Sequence, residues 1–126
     1  MVRVLLVEDN DVYRESLELL LAMQPGLEVV GSVGSGDAAA ASAIELRPDV
    51  VVMDFRLPGL DGARATRAVI AATSSAVVCL TAEASPEERD EIVRAGASAL
   101  VEKGGSIEGL AEAIRAAAGA GPVPAH

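Results

Sequence analysis

The chain has 126 residues, 51% of them hydrophobic, which suffices for one core and is too short for two ordinary domains. Its 19 acidic against 10 basic residues give a net charge of -9 with no basic run, so the domain lacks the local positive patch that nucleic-acid binding requires. One cysteine, Cys79, excludes an intrachain disulfide framework and fits a reducing compartment. No apolar run reaches the ~20 residues of a membrane span, and Met1-Val2-Arg3-Val4 enters the first strand with no room for a signal peptide. A cytoplasmic location away from the membrane is expected.

Short β-branched runs alternate with longer segments of helical period, the pattern of successive βα units. The first strand, near residues 3–7, contains Val4-Leu5-Leu6-Val7 and runs into Glu8 and Asp9. A helix over roughly 11–24 carries Tyr13, Leu17, Leu20 and Leu21 at the spacing of one buried stripe, and Pro25-Gly26 stops it. A strand over 27–33 precedes a helix from about Asp37 to Leu46, rich in small helix formers at Ala38 to Ala41, with Pro48 disfavouring helix at Arg47. The third strand, 50–54, ends on Asp54. The third helix begins near Asp61-Gly62, ends around Ala72, and is followed by the polar break Thr73-Ser74-Ser75.

The fourth strand, 76–81, holds Cys79 as a small buried hydrophobe and ends on Thr81. Ser85 as N-cap, Pro86 at the first helical position, Glu88 three residues after the cap and Gly96 as the stop define the fourth helix. A fifth strand over 99–102 leads to Lys103, and a helix from Ser106 to about Ala118 buries Ile107, Leu110, Ala111 and Ile114. Residues 1–119 therefore form one domain. Residues 120–126, Ala120-Gly121-Pro122-Val123-Pro124-Ala125-His126, have lost all periodicity and read as a linker or tail, with no role for His126.

Glu8, Asp9, Asp54, Thr81 and Lys103 all stand at carboxyl ends of strands, where open parallel sheets bind ligands. Two unit charges 4 Å apart repel by ~4 kcal/mol at an effective dielectric of about 20, so three ionised acids in one pocket need a counter-charge. Carboxylates without histidine or thiolate favour a hard ion, Mg²⁺ ahead of Ca²⁺. Singly, each acid reads better as a solvated loop residue, and Asp9 or Asp11 fits as a cap of the first helix. As a set, a metal beside a hydroxyl and a lysine makes a phosphoryl site.

The ordered set Leu-Val-Glu8-Asp9-Asn10, Met-Asp54-Phe-Arg-Leu-Pro58-Gly59-Leu-Asp61-Gly62, Thr81-Ala82 and Gly96-Ala97-Ser98 with Lys103 resembles the receiver domain of two-component response regulators, over residues 3–119. The wording around Asp54 and the stretch Gly26 to Gly31 are most similar to the NarL/LuxR-type subfamily. The resemblance implies an α/β, flavodoxin-like (βα)5 doubly wound sandwich whose five parallel strands run in the order 2-1-3-4-5. It implies that Asp54 is the phosphoacceptor, taking its phosphoryl group from the phosphohistidine of a sensor histidine kinase. Asp9, Asp54 and the backbone carbonyl of Arg56 would ligate Mg²⁺, Glu8 would act through water, and Thr81 and Lys103 would hold the phosphoryl oxygens. The domain would be a switch that assists its own phosphorylation and dephosphorylation rather than an enzyme. Phosphorylation would reshape the face of the fourth helix, fifth strand and fifth helix, with room for a homodimer in that state. Such proteins usually continue into a DNA-binding helix-turn-helix that controls transcription. That module is absent here, which leaves a receiver fragment or a single-domain regulator.

Leu100 stands three positions before Lys103, where the family usually has Tyr or Phe. With no ring to rotate, the switch falls to Thr81, and Leu100 is passive filler. Gly104-Gly105 follow the lysine where proline is common in the wider family, which argues against a cis peptide there. Arg56 and Glu83, two residues beyond Asp54 and Thr81, are read either as a pair across the site's mouth or as solvated charges. Two rival readings remain. A haloacid-dehalogenase-type enzyme would carry a second acid two residues after its nucleophile, where this chain has Arg56. An atypical receiver, acting as a phosphorylation-independent interaction module, has Leu100 as its support.

Overall fold

Residues 1–57 and 60–120 are described by the computed structural model, Ala120 by its backbone alone. Pro58-Gly59 and the tail from Gly121 to His126 lie outside the described residues, together with what the sequence implies for them. Ten elements alternate along the chain: β1 (Val2–Val7), α1 (Asp11–Ala22), β2 (Leu27–Val33), α2 (Gly36–Leu46), β3 (Val50–Asp54), α3 (Gly62–Ala72), β4 (Ala76–Thr81), α4 (Pro86–Ala95), β5 (Ala99–Glu102) and α5 (Ile107–Ala120). The strands form one parallel sheet in the order β2-β1-β3-β4-β5, as the resemblance implies.

The order explains the composition of each strand. A strand covered by helices on both faces must be apolar on both, and every residue of the central β3 and of β4 is buried, as are Val4 to Val7 of β1. The edge strands β2 and β5 are only partly buried. Alternation sorts each strand's side chains into two cores. Leu5, Val51, Met53, Val77 and Cys79 pack with Ala39 and Ala43 of α2, Val69 of α3 and Ile92 of α4. Val4, Leu6, Val50, Val52, Val78 and Leu80 pack on the other face with Leu17 and Leu21 of α1 and Leu110, Ala111 and Ile114 of α5. The alanines of α2 are thus structural, letting that helix sit close to the sheet.

Helix ends follow local chemistry. Ser85 and Glu88 form a complete capping box on α4, and Gly96 closes that helix at φ +103°, a conformation that favours glycine. Asp61 caps α3 by accepting from the Arg64 amide. The cap of α1 is Asn10, whose side chain accepts from Tyr13 N at 2.9 Å. Asp9 and Asp11, the two acids read as caps, do not fill that position, because Asn10 has the extended backbone that an N-cap requires. The helix ends at Ala22, and its stripe is narrower than the spacing suggests: Leu17 and Leu21 are buried, whereas Leu20 is 44% exposed. Ile107, at the first position of α5, is likewise only half-buried. No helix among the described residues is long and apolar enough to cross a membrane.

Candidate functional site

The site stands at the carboxyl ends of β1, β3, β4 and β5. Asp54 is the last residue of β3 and Thr81 the last of β4; Glu8 follows β1 directly, and Lys103 follows β5. Backbone bonds fix these ends together. Phe55 N donates to Leu80 O at 2.8 Å, Lys103 N to Thr81 O at 2.7 Å, and Glu8 N to Val33 O at 3.0 Å.

Four of the expected side chains converge. Lys103 Nζ lies 2.8 Å from Glu8 Oε1 and 3.0 Å from Asp54 Oδ2. Glu8 and Asp54 are 1% and 2% exposed, whereas Asp9 is exposed, yet all three bring a carboxylate oxygen within 4.8 Å of one another. Three carboxylates against one ammonium leave two formal negative charges, which a divalent ion would match. Mutual repulsion among the acids is the reason that such an ion is favoured, and an all-oxygen set suits Mg²⁺. Burial alone would push the Lys103 ammonium down, but hydrogen bonds and charge from Glu8 and Asp54 outweigh it and raise its pKa above the ordinary lysine value.

Thr81 is 1% exposed, and its hydroxyl has no hydrogen-bond partner among the described residues. Apart from its ion pair with Lys103, Glu8 Oε1 has no partner either. A buried hydroxyl left unpaired costs ~1–3 kcal/mol, and no acceptor for the Thr81 hydroxyl stands among the described residues. Arg56 meets Asp54 through its backbone amide, which donates to Oδ1 at 3.1 Å. Leu100 is half-buried and packs on the α2–α3–α4 side of the sheet, with the core that contains Cys79 and Ile92. Thr81 points to that same side, two residues on from Cys79.

The charged pair at the mouth differs from the expected one. Arg56 Nη2 bonds Glu88 Oε2 at 2.9 Å, so its partner stands on α4 and is not Glu83. The physical reason is the capping box. The Ser85 amide holds the Glu88 side chain at the start of α4 through Oε1, which leaves Oε2 free to take Arg56. The Ser85 amide first, and then Arg56 against some desolvation, lower the Glu88 pKa below its ordinary value. Sequence reasoning recognised Glu88 only as a cap. It also placed Tyr13 in a buried stripe, whereas its ring centroid lies 5.0 Å from Lys103 Nζ. Burial pushes the Tyr13 phenol up, Lys103 pulls it back, and Glu8 and Asp54 add to the rise. Arg14 was missed altogether: its Nη1 donates to the carbonyl of Glu8 at 2.7 Å while Nη2 pairs with Asp11, fixing the turn that presents Glu8.

Comparison with known proteins agrees with this geometry. The model of the response regulator receiver domain matches residues 4–115. The chain belongs to that family, the receiver domains of two-component signalling. It is 37% identical over 116 residues to the response regulator GacA of Pseudomonas viridiflava, covering 91% of this chain and 54% of that protein. It is 35% identical over 118 residues to the transcriptional regulatory protein LiaR of Bacillus subtilis, with 93% and 56% covered. The chain thus spans about half the length of these curated relatives. Among solved structures it is similar to a LuxR-family two-component response regulator from Aurantimonas sp. SI85-9A1, at TM-score 0.89 and 31% identity, covering 94% of this chain and 86% of that one. It is similar also to the receiver domain of the sensor histidine kinase PA1611 from Pseudomonas aeruginosa, which has a magnesium ion coordinated in its active site cleft, at TM-score 0.83 and 33% identity, with 94% and 98% covered.

The carboxylate set fits a hard divalent ion, and its expected effect on stability is measurable. Anything that binds only the folded state stabilises it by mass action, ~2.7 kcal/mol at a hundredfold excess over Kd. Mg²⁺ should raise the melting temperature of the wild type by several degrees and leave that of Asp9→Ala unmoved; Asp9 is exposed, so the substitution itself should cost little. An equal rise in both proteins would place the ion elsewhere.

Proposed function

We propose that Asp54 is the acceptor of a phosphoryl group from the phosphohistidine of a sensor histidine kinase, and that its phosphorylation switches the face formed by α4, β5 and α5. The observation that carries this reading is a buried carboxylate held by Lys103 beside a buried, unpartnered Thr81 hydroxyl. A carboxylate oxygen of Asp54 would attack phosphorus as the P–N bond breaks, its electron pair leaving with the imidazole. Charge on the transferred group spreads over three oxygens, which need donors; Lys103 supplies an ammonium and Thr81 a hydroxyl. Asp9, Asp54 and the Arg56 carbonyl would hold Mg²⁺ directly and Glu8 through water. When bound, the ion would draw negative charge from the phosphoryl oxygens.

The same reading makes residues 1–119 a phosphoacceptor switch in the cytoplasm rather than an enzyme. LiaR is a transcriptional regulatory protein, and by that likeness the output of this chain would be transcription, through a DNA-binding domain outside it, with homodimerisation as one route of transmission. The test is intact-mass measurement after incubation with phosphoramidate and Mg²⁺. About one phosphoryl group per chain is expected, with no sustained hydrolysis of external phosphate esters. Continuous ester turnover would make the protein an enzyme, and no mass gain under any Mg²⁺ concentration would make it a phosphorylation-independent interaction module.

A further inference from the structure

Lys103 reaches its carboxylates from an insecure base. It lies just past a four-residue edge strand, ahead of Gly104 at φ +86° and Gly105, and its long flexible stem must be held if the ammonium is to stay in one place. Two carboxylates fix one side of that ammonium. A third group stands over it, the ring of Tyr13, with its centroid 5.0 Å from Nζ. A cation within about 6 Å of an aromatic face is attracted by the ring quadrupole, more strongly where water is excluded. Lys103 is 25% exposed along its side chain, which meets that condition in part.

The ring is itself well anchored. The Tyr13 amide donates to the capping Asn10, so the residue sits in the rigid first turn of α1. Beneath it a cavity of about 140 Å³, shared with Leu17, Leu80, Val101 and Gly104, separates α1 from the loop after β5. Without the ring, Lys103 could swing toward that space and away from Asp54.

From this arrangement we infer that Tyr13 is a positioning residue, which holds the Lys103 ammonium against Asp54 and thereby sets the rate of phosphoryl transfer. The inference rests on Asp54 being the phosphoacceptor, and its test separates the two. Tyr13→Leu keeps most of the apolar volume and loses the quadrupole, so phosphorylation by phosphoramidate should slow about fivefold. Tyr13→Phe keeps the ring and should restore the rate to within about twofold. Against Lys103→Met the effect of Tyr13→Leu on the residual rate should vanish, because residues acting through one contact are not additive. Equal rates in the wild type, Tyr13→Phe and Tyr13→Leu would overturn the inference, and so would a fivefold loss that persists in Lys103→Met. A wild type that takes no phosphoryl group would instead refute the phosphoacceptor reading, and a spectrum then decides the contact. Tyr13 is the one tyrosine in a chain without tryptophan, so its near-ultraviolet absorption reports on the ammonium. That band should shift in Lys103→Met, and an unmoved band would overturn the inference.

Discussion

Thr81→Ala should accept a phosphoryl group on Asp54 and still leave the α4–β5–α5 face in its unphosphorylated arrangement. Phosphorylation adds roughly -1.5 to -2 charge, and hydrogen bonds to charged groups contribute ~1.5–3 kcal/mol each. Two such contacts sum to ~3–6 kcal/mol, against ~5.5 kcal/mol needed to move an equilibrium from 1:99 to 99:1. The two contacts would be unequal, because the two side chains start from different surroundings. Lys103 already pairs with Asp54 and Glu8, so its contact with a phosphoryl oxygen would be largely an exchange. Thr81 has no partner among the described residues to give up, and pairing its buried hydroxyl would also remove the ~1–3 kcal/mol cost of leaving it unsatisfied. On the proposed reading, most of the switching energy would therefore pass through Thr81. Amide exchange across residues 84–118 should change on phosphorylation of the wild type and of Leu100→Ala, and stay flat in phosphorylated Thr81→Ala. The reverse pattern would mean that coupling runs through the apolar side chain.

Gly62→Ala should be among the most damaging substitutions that remove no functional group. Helix propensity alone argues the opposite, since replacing glycine with alanine in a helix favours folding by ~0.5–1 kcal/mol. Packing decides the sign. A Cβ at Gly62 would lie 2.5 Å from the Asp54 carbonyl oxygen and 2.6 Å from that of Phe55, and would press on the Phe55 α-carbon. These are backbone atoms and cannot rotate aside. The Gly62 amide also donates to Phe55 O at 2.9 Å, which ties the start of α3 to the strand end that presents Asp54. Overpacking of this kind costs ~1–3 kcal/mol, a fall of roughly 5–15 °C in melting temperature for a domain of this size. The same displacement moves Asp54, so the labelling rate should fall at least about tenfold, because misplacing a reacting group by ~1 Å can cost roughly 10²-fold. A variant as stable and as quickly labelled as the wild type would show that the loop relaxes freely.

The elements were legible because each carries its own local physics. β3 and β4 are buried on both faces, and that necessity appears in the chain as the runs Val50 to Met53 and Ala76 to Leu80. The capping box at Ser85 and Glu88 and the stop at Gly96 are short-range chemistry, and the structure keeps all of them. The strand-end position of Glu8, Asp9, Asp54, Thr81 and Lys103 was readable for the same reason, since the fold places all strand ends together. Strand order is different: no local signal sets it, and the resemblance alone supplied it.

What the sequence withheld are contacts between elements whose partners have no pattern. Arg56 to Glu88 spans 32 residues, and Glu88 was already assigned to its cap. Tyr13 fits a helical stripe, so nothing in its spacing distinguishes a ring packed on leucine from one over an ammonium. Leu20 has the same period yet stands on the exposed flank of α1, because only a narrow part of that helix faces the sheet. Asn10 was passed over as a cap in favour of neighbouring acids of nearly equal propensity, a choice settled by backbone conformation alone.

The phosphoryl group should enter at Asp54 and nowhere else. Wild type and Asp54→Asn, incubated side by side with phosphoramidate and Mg²⁺, should differ completely by intact mass. The wild type should gain one phosphoryl group per chain and the variant none, although the substituted amide keeps the shape of the carboxylate and a melting curve verifies that the variant is folded. A phosphoryl gain in folded Asp54→Asn equal to that of the wild type would mean that another residue is the phosphoacceptor.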